Sequence, residues 1–199
     1  MTRTAALGAL LALAAGCVSL GPRPVPPRYY VLDAPAAPAA TADPARAPVA
    51  AIGVRRVRLP PYLDRREVVT REGATEVVVA SVDRWAAPLD ALFAGALAED
   101  LRAAVPAREV VAEPWPAASA PEWVVAVEVL RFEGERDGTA VLEARWTVRR
   151  RGEPAREGVT AARERGAAGD VAATAAALSR TVGALARDLA AAIAAAGGG

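Results

Sequence analysis

The chain has no histidine, and reading its 199 residues finds no lysine, asparagine or glutamine, so all 24 basic side chains are arginine. Each absence removes a chemistry. Without histidine there is no imidazole base and no Ser-His or Cys-His nucleophile pair. Without lysine there is neither a phosphate-loop lysine nor a Schiff base, and without side-chain amides no amide-lined oxyanion hole. Cysteine occurs once, at Cys17. A lone thiol closes no internal disulfide and fills no tetrahedral metal site. Ser19, Ser81, Ser119 and Ser179 lie outside any G-x-S-x-G context. These absences predict no catalytic residue, no metal and no cofactor. Net charge is scarce too, with 23 acids against the 24 arginines. Such a balance provides no global field to draw in nucleic acid.

What is present begins at the single cysteine. Arg3 is a short positive region, Ala5 to Ala15 an apolar run, and the small residues Ala15 and Gly16 precede Cys17. That is the build of an export signal. As a helix the run would rise only about 16 Å, half of a bilayer core, so it does not span. The small-small-Cys ending resembles the bacterial lipobox, with Ala14 where leucine is usual. Lipidation would place diacylglycerol on the thiol and an N-acyl chain on the new amine, and two or more chains give a stable anchor. The alternative is an ordinary cleaved leader with an incidental cysteine. Val18 follows the cysteine in place of aspartate. In enteric-type sorting this implies the outer membrane.

The proline-rich "VSLGPRPVPP" reads as an extended spacer, and a Pro/Ala tract from Ala34 to Pro48 isolates "RYYVLD", read as a first strand. "VAAIGVRRVRL" suggests a strand with a bulge, and "REVVTREGATEVVVAS" a hairpin turning at Glu72-Gly73-Ala74. "APLDALFAGALAEDLRAAVP" places Leu89, Leu92, Phe93, Ala96, Leu97, Leu101 and Val105 at helical spacing, with Pro88 at the first helical position. "REVVAEPW" reads as a short strand. "EWVVAVEVL" and "TAVLEARWTV" read as two long strands joined by Asp137-Gly138, the signature of a type I′ turn. In the second of them Leu142, Ala144, Trp146 and Val148 share a covered face, while Glu143, Arg145, Thr147 and Arg149 share a wet one. A weaker strand over "PAREGVTAARE" follows. A last helix is capped by Asp170 and carries the stripe Val171, Ala175, Leu178, Val182, Leu185, Leu189 and Ile193. The expected fold is α/β (α+β), a two-layer sandwich of a mostly antiparallel or mixed sheet covered by two amphipathic helices. The expected boundaries are a leader at 1–16, anchor and spacer at 17–28, one domain at 29–196 and a glycine tail at 197–199.

Acidic pairs such as Glu99-Asp100 and Glu133/Glu135 read as solvated helix and hairpin positions, and Arg149-Arg150-Arg151 as a charged strand end. More distinctive is "LPPYLDRREVVTREGATEVVVASVDRWAAPLDALF", whose Tyr62, Asp64, Arg65, Arg71, Asp83, Arg84 and Trp85 exceed what a hairpin needs. They read first as a buried Arg-Asp network holding the hairpin to the helix start. The second reading is a partner-binding patch, since Trp and Arg often anchor interfaces.

"RYYVLD", "IGVRRVRLPPYLDRREVVTR", "VDRWAAPLD", "LEARWTV" and "LSRTVGALARDLAAAI", taken with the lipobox, resemble the PqiC/YmbA-type auxiliary lipoproteins of ABC-type transport systems. Ala87 stands where that family often has glutamate. The resemblance implies a non-enzymatic lipoprotein at the outer membrane, anchored through Cys17 and facing the periplasm. Its implied partners are an MCE-domain protein with an inner-membrane permease and ATPase, which move lipid between membranes. It leaves a homo-oligomer open. An outer-membrane lipoprotein that activates or assembles a cell-wall or secretion machine would share anchor, spacer and domain, because fold does not fix function. A lipid-carrying cup would need an apolar cavity, and the helix stripes are expected to be used on the sheet.

Overall fold

A computed structural model of the chain describes residues 25–33, 51–116 and 120–197. The leader, Cys17, most of the spacer, the Pro/Ala tract and the last two glycines lie outside the described residues. Among the described residues the strands β1 (Arg28–Tyr30), β2 (Ile52–Val54), β3 (Glu67–Arg71), β4 (Val77–Trp85), β5 (Val110–Ala112), β6 (Trp123–Glu135), β7 (Thr139–Arg150) and β8 (Arg156–Arg165) form one mixed, open sheet. Helices α1 (Leu89–Ala104) and α2 (Val171–Gly197) cover one face. The expected two-layer α/β architecture is the one found.

The long β6 is the spine of the sheet. One of its edges pairs antiparallel with β7, which pairs in turn with β8. The other edge is shared, with β2 parallel along the start of β6 and β3 parallel along its end. β5 extends the sheet beyond β2, while β4 and then β1 extend it beyond β3. Between β2 and β3 the chain stays on β6 through Arg55 N–H to the Val125 carbonyl (2.8 Å) and Arg58 N–H to the Val127 carbonyl (3.1 Å). Val54 lies opposite Val125 but Arg58 opposite Glu128, so one extra residue is accommodated, as the imperfect alternation suggested. The chain then leaves the ladder through a 3₁₀ turn, Pro61–Leu63, before entering β3.

β1 starts where the prolines stop. The Tyr30 carbonyl accepts from the Ala86 N–H (2.8 Å), so even-numbered residues turn their backbone groups toward β4. Position 26, next in that series, is a proline without an N–H.

The core lies between the sheet and the helices. Trp123, Val125, Val127 and Val129 alternate inward along β6, and a bulge after Val129 re-aims Phe132 into the same layer. There Phe132 meets Phe93 of α1 edge-to-face, with centroids 5.1 Å apart. From α2, Ala175, Leu178, Val182, Leu185, Leu189 and Ile193 are buried, and Val171 is half-buried. Asp170 caps that helix, its Oδ1 accepting from the Ala173 N–H at 3.0 Å.

Three local expectations need correction. Pro88 is the cap, one place before the helix, with its carbonyl accepting from Ala91 and Leu92. The turn after β6 is not type I′: only Gly138 has positive φ (84°), and Glu135 accepts from the Gly138 N–H (2.9 Å). Three loop residues with a left-handed glycine last give the bulged hairpin, because Asp137 instead bonds Thr139 through both carboxylate oxygens. The third concerns the helix-free face, which is not simply wet. Val141 and Glu133, neighbours on that face, are 1% and 0% exposed. Arg71, Arg131 and Tyr62 close over Glu133.

Candidate functional site

The singled-out residues separate into two polar centres. The first is built on β6. Gly134 faces α2, where an added Cβ would come within 2.5 Å of Thr174 Cγ2, so its neighbours Glu133 and Glu135 project from the opposite face. Glu133 is a hub. Its Oε1 accepts from Arg71 Nε (2.5 Å) and Arg131 Nε (3.1 Å), and its Oε2 accepts from the Tyr62 hydroxyl (2.5 Å). Arg131 also reaches Glu135 (3.1 Å) and Glu143 (3.2 Å), and Arg163 of β8 closes onto Glu135. Burial alone would raise the Glu133 pKa, but the bonds from Tyr62, Arg71 and Arg131 together outweigh it and hold the carboxyl below its ordinary value. The Tyr62 phenol is pushed up to about 12, mainly by burial and then by its bond to Glu133. Both shifts keep Glu133 charged and Tyr62 protonated near neutral pH. That suits a clamp joining the excursion before β3 to the sheet, and suits proton transfer poorly.

The second centre joins β1 to β4. Asp83 accepts two bonds from Arg28, at Nε (2.6 Å) and Nη2 (2.9 Å), and one from the Tyr30 hydroxyl (2.9 Å). The bond from Arg28 lowers the Asp83 pKa most, with burial opposing and Tyr30 assisting. Trp85, two residues on, is buried, and its backbone N–H donates to the Arg66 carbonyl at 2.6 Å. Arg84 is half-buried with its Nε enclosed and unbonded. Asp64 and Arg65 are exposed on the bend after the 3₁₀ turn.

The single Arg-Asp network expected of these residues is therefore two clusters with different partners. Asp83 pairs with Arg28 and not with its neighbour Arg84, whose side chain points the other way in the strand. Arg71 pairs with Glu133, a residue read as a solvated hairpin position and found fully buried. One signal pointed to it: Arg131, Glu133 and Glu135 recur at a spacing of two, which puts all three on one face of a strand. Asp100, read as solvated with Glu99, is also buried, with Oδ2 unbonded and its pKa raised to about 6, mostly by burial. The α1 turn that exposes Glu99 points Asp100 at α2, near Gly183. Arg150 meets Glu122 (2.7 Å) and Glu153 (3.1 Å) and lies over the Trp123 ring, while Arg151 bonds the Ala120 carbonyl (2.9 Å). A cleft of about 750 Å³ opens on the helix-free face, rimmed by Arg55, Arg58, Arg145, Glu113, Glu128 and Glu157. Its mixed charges do not make an apolar cup. Among the described residues no three potential metal ligands cluster.

Residues 30–190 match the sequence model of a family described as the ABC-type transport auxiliary lipoprotein component. The chain belongs to this family. The family is one of auxiliary transport components, and its lipoprotein character places its members at a membrane. Among the described residues no helix is long and apolar enough to cross one. Relatives include the intermembrane transport lipoprotein PqiC of Escherichia coli strain K12 and that of Shigella flexneri. Each is 28% identical over 100 residues, which cover 50% of this chain and 52% of the relative. The chain thus spans about half the length of the curated relatives it matches. Two solved structures share the fold. A crystal structure of an uncharacterized protein has a TM-score of 0.67 at 21% identity, covering 85% of this chain and 99% of the other. A protein from Xanthomonas campestris has a TM-score of 0.61 at 18% identity, covering 81% and 92%.

Proposed function

We propose that this chain is the lipid-anchored, non-enzymatic auxiliary subunit of an MCE/ABC-type intermembrane lipid transport system, held at the outer membrane and facing the periplasm. The observation that carries the reading is the family match over residues 30–190, supported by relatives whose name is intermembrane transport lipoprotein. The polar centres agree with it. Glu133, Asp83, Arg71 and Tyr62 bond one another or neighbouring strands, so their chemistry goes into fixing the domain's shape. Cys17 would carry diacylglycerol and an N-acyl chain, and the proline-rich spacer would hold the domain close to the membrane. Tethering raises its effective concentration for a partner arriving there. The partners in this reading are an MCE-domain protein and its inner-membrane permease and ATPase.

Labelling cells with a clickable fatty acid tests the anchor. Wild-type protein takes up label, and Cys17→Ser accumulates as an unlabelled precursor. Label retained on the serine variant refutes the assignment.

A further inference from the structure

Among the described residues three carboxylates are buried, and two of them, Asp83 and Glu133, are accounted for by the polar centres. Asp100 is the third. It is 5% exposed and its Oδ2 has no hydrogen-bond partner, whereas buried acids are ordinarily paired or hydrogen-bonded. α1 points it at Gly183 of α2, where an added Cβ would lie 3.7 Å from Oδ2. Ser179, Gly183 and Arg187 follow one another at intervals of four on α2 and so share one stripe. At the first of them, Ser179 Oγ accepts from the Asp33 N–H at 3.1 Å and donates to the Ala175 carbonyl at 2.9 Å. Asp33 is thereby seated one helical turn, about 5 Å, from the place where Asp100 arrives. Two aspartates from distant parts of the chain meet adjacent turns of one helix.

The surroundings of Asp100 supply one cation and two acids. Arg187 comes from α2, its Nη1 3.8 Å from that same added Cβ, and its side chain is exposed. Asp33 comes from the segment after β1. Glu99 precedes Asp100 on α1 and is bonded to Arg102. β2 and β5, which also pack on α1, read Ile-Gly-Val and Val-Val-Ala and add no titratable group. Burial raises the Asp100 pKa most, to about 6, with Arg187 opposing and Asp33 and Glu99 assisting.

We propose that Asp100 is a pH-operated latch for the segment that follows β1: uncharged, it lets Leu32 and Asp33 seat on the domain, and ionised, it releases them because the charge requires water. Past Tyr30 the chain has left the β4 ladder, and it is held by the buried Leu32 side chain and the bond from Asp33 to Ser179. The two helices, by contrast, are joined through the hydrophobic core, with Phe93, Leu97 and Leu101 of α1 and Leu178, Val182 and Leu185 of α2 all buried in it. The segment is therefore the part that yields. Its departure admits water to Oδ2 and separates Asp33 from Asp100, while β1 stays on β4 through Arg28 and Asp83. A carboxyl returned to its ordinary value of about 3.9 on opening makes the opening equilibrium roughly tenfold larger at pH 7.5 than at pH 5.

The experiment follows hydrogen exchange of the full-length chain in detergent at pH 5, 6 and 7.5, by mass spectrometry with fragmentation that resolves the Asp33 amide. Each rate is compared with the intrinsic rate at the same pH, and the amides from Val125 to Val129 of β6 record global opening. Support requires wild-type protection at Asp33 to stay below that of β6 and to fall about threefold or more from pH 5 to pH 7.5. It also requires Asp100→Asn to lose at least half of that pH dependence. Ser179→Ala, which removes the seat, should leave Asp33 unprotected at every pH. A wild-type change smaller than about threefold, an undiminished change in the asparagine variant, or equal protection at Asp33 and β6 overturns the latch. Protection of Asp33 that survives Ser179→Ala overturns it as well.

Discussion

Replacing Glu133 with glutamine removes one charge and little volume from a site that is 0% exposed. The carboxylate accepts from Tyr62, Arg71 and Arg131, and a glutamine keeps one acceptor oxygen while turning an NH₂ toward donors. Charge-assisted bonds are worth about 1.5 to 3 kcal/mol each, and stranding a buried charge costs about 3 to 5 kcal/mol. The guanidinium side chains retain 20% and 24% exposure, so water relieves part of the loss. The expected cost of Glu133→Gln is about 2 to 4 kcal/mol at pH 7, read from denaturant midpoints at constant m-value. The pH dependence is a second constraint. The folded carboxyl titrates below the unfolded value of about 4.3, so its stabilisation is present above that pH and is lost as pH falls through the lower folded pKa. Wild type should therefore lose stability more steeply than the glutamine variant as pH falls below about 4.3. A variant within about 0.5 kcal/mol of wild type, or parallel acid profiles, would refute the hub.

Asp100 predicts the opposite sign. Its folded pKa of about 6 lies above the unfolded value because of burial and the nearby Asp33 and Glu99, with Arg187 offsetting part. Its ionisation costs folding stability progressively as pH rises from about 4 to 6, so Asp100→Asn should stabilise by roughly 2 to 3 kcal/mol at pH 7.5 and by little at pH 4. Thermal melts at the two pH values check this, and equal shifts at both would refute it. On β7, the half-buried Trp146 lies over Gly158, where an added Cβ would come within 2.2 Å of the indole, and its Nε1–H donates to Thr160 (3.1 Å). Trp146→Ala should cost about 2 to 4 kcal/mol and Gly158→Ala about 1 to 3, while the outward Arg145→Ala stays within about 0.5. Equal effects at Trp146 and Arg145 in chemical denaturation would mean that the two faces of β7 have been confused.

The elements with a regular apolar period were legible. The α2 stripe recurs at helical spacing and is the buried face, and the β6–β7 pair alternates with period two until the bulge after Val129. Local signals of this kind depend on neighbours within a turn or a hairpin, which a sequence displays directly. The candidate site was legible only as a composition. Tyr62, Arg71, Asp83 and Trp85 stood out for their density, yet Asp83 takes its partner from Arg28, 55 residues away, and Arg71 from Glu133, 62 residues away.

By itself, then, the sequence determined which side-chain types are absent and what forms locally. It lacks imidazole, ammonium and a second thiol, it has a leader-like start with one cysteine, and it carries the periods of two helices and the long strands. Tertiary structure decided which charges are buried. Whether Glu133 meets water depends on β3 pairing parallel with the end of β6 and on Tyr62 closing over the face. It also decided that, among the described residues, β1 pairs with only the last residues of β4. These outcomes are set by long-range register, and register is fixed by how two distant strands bury a common face, a choice that no single segment encodes.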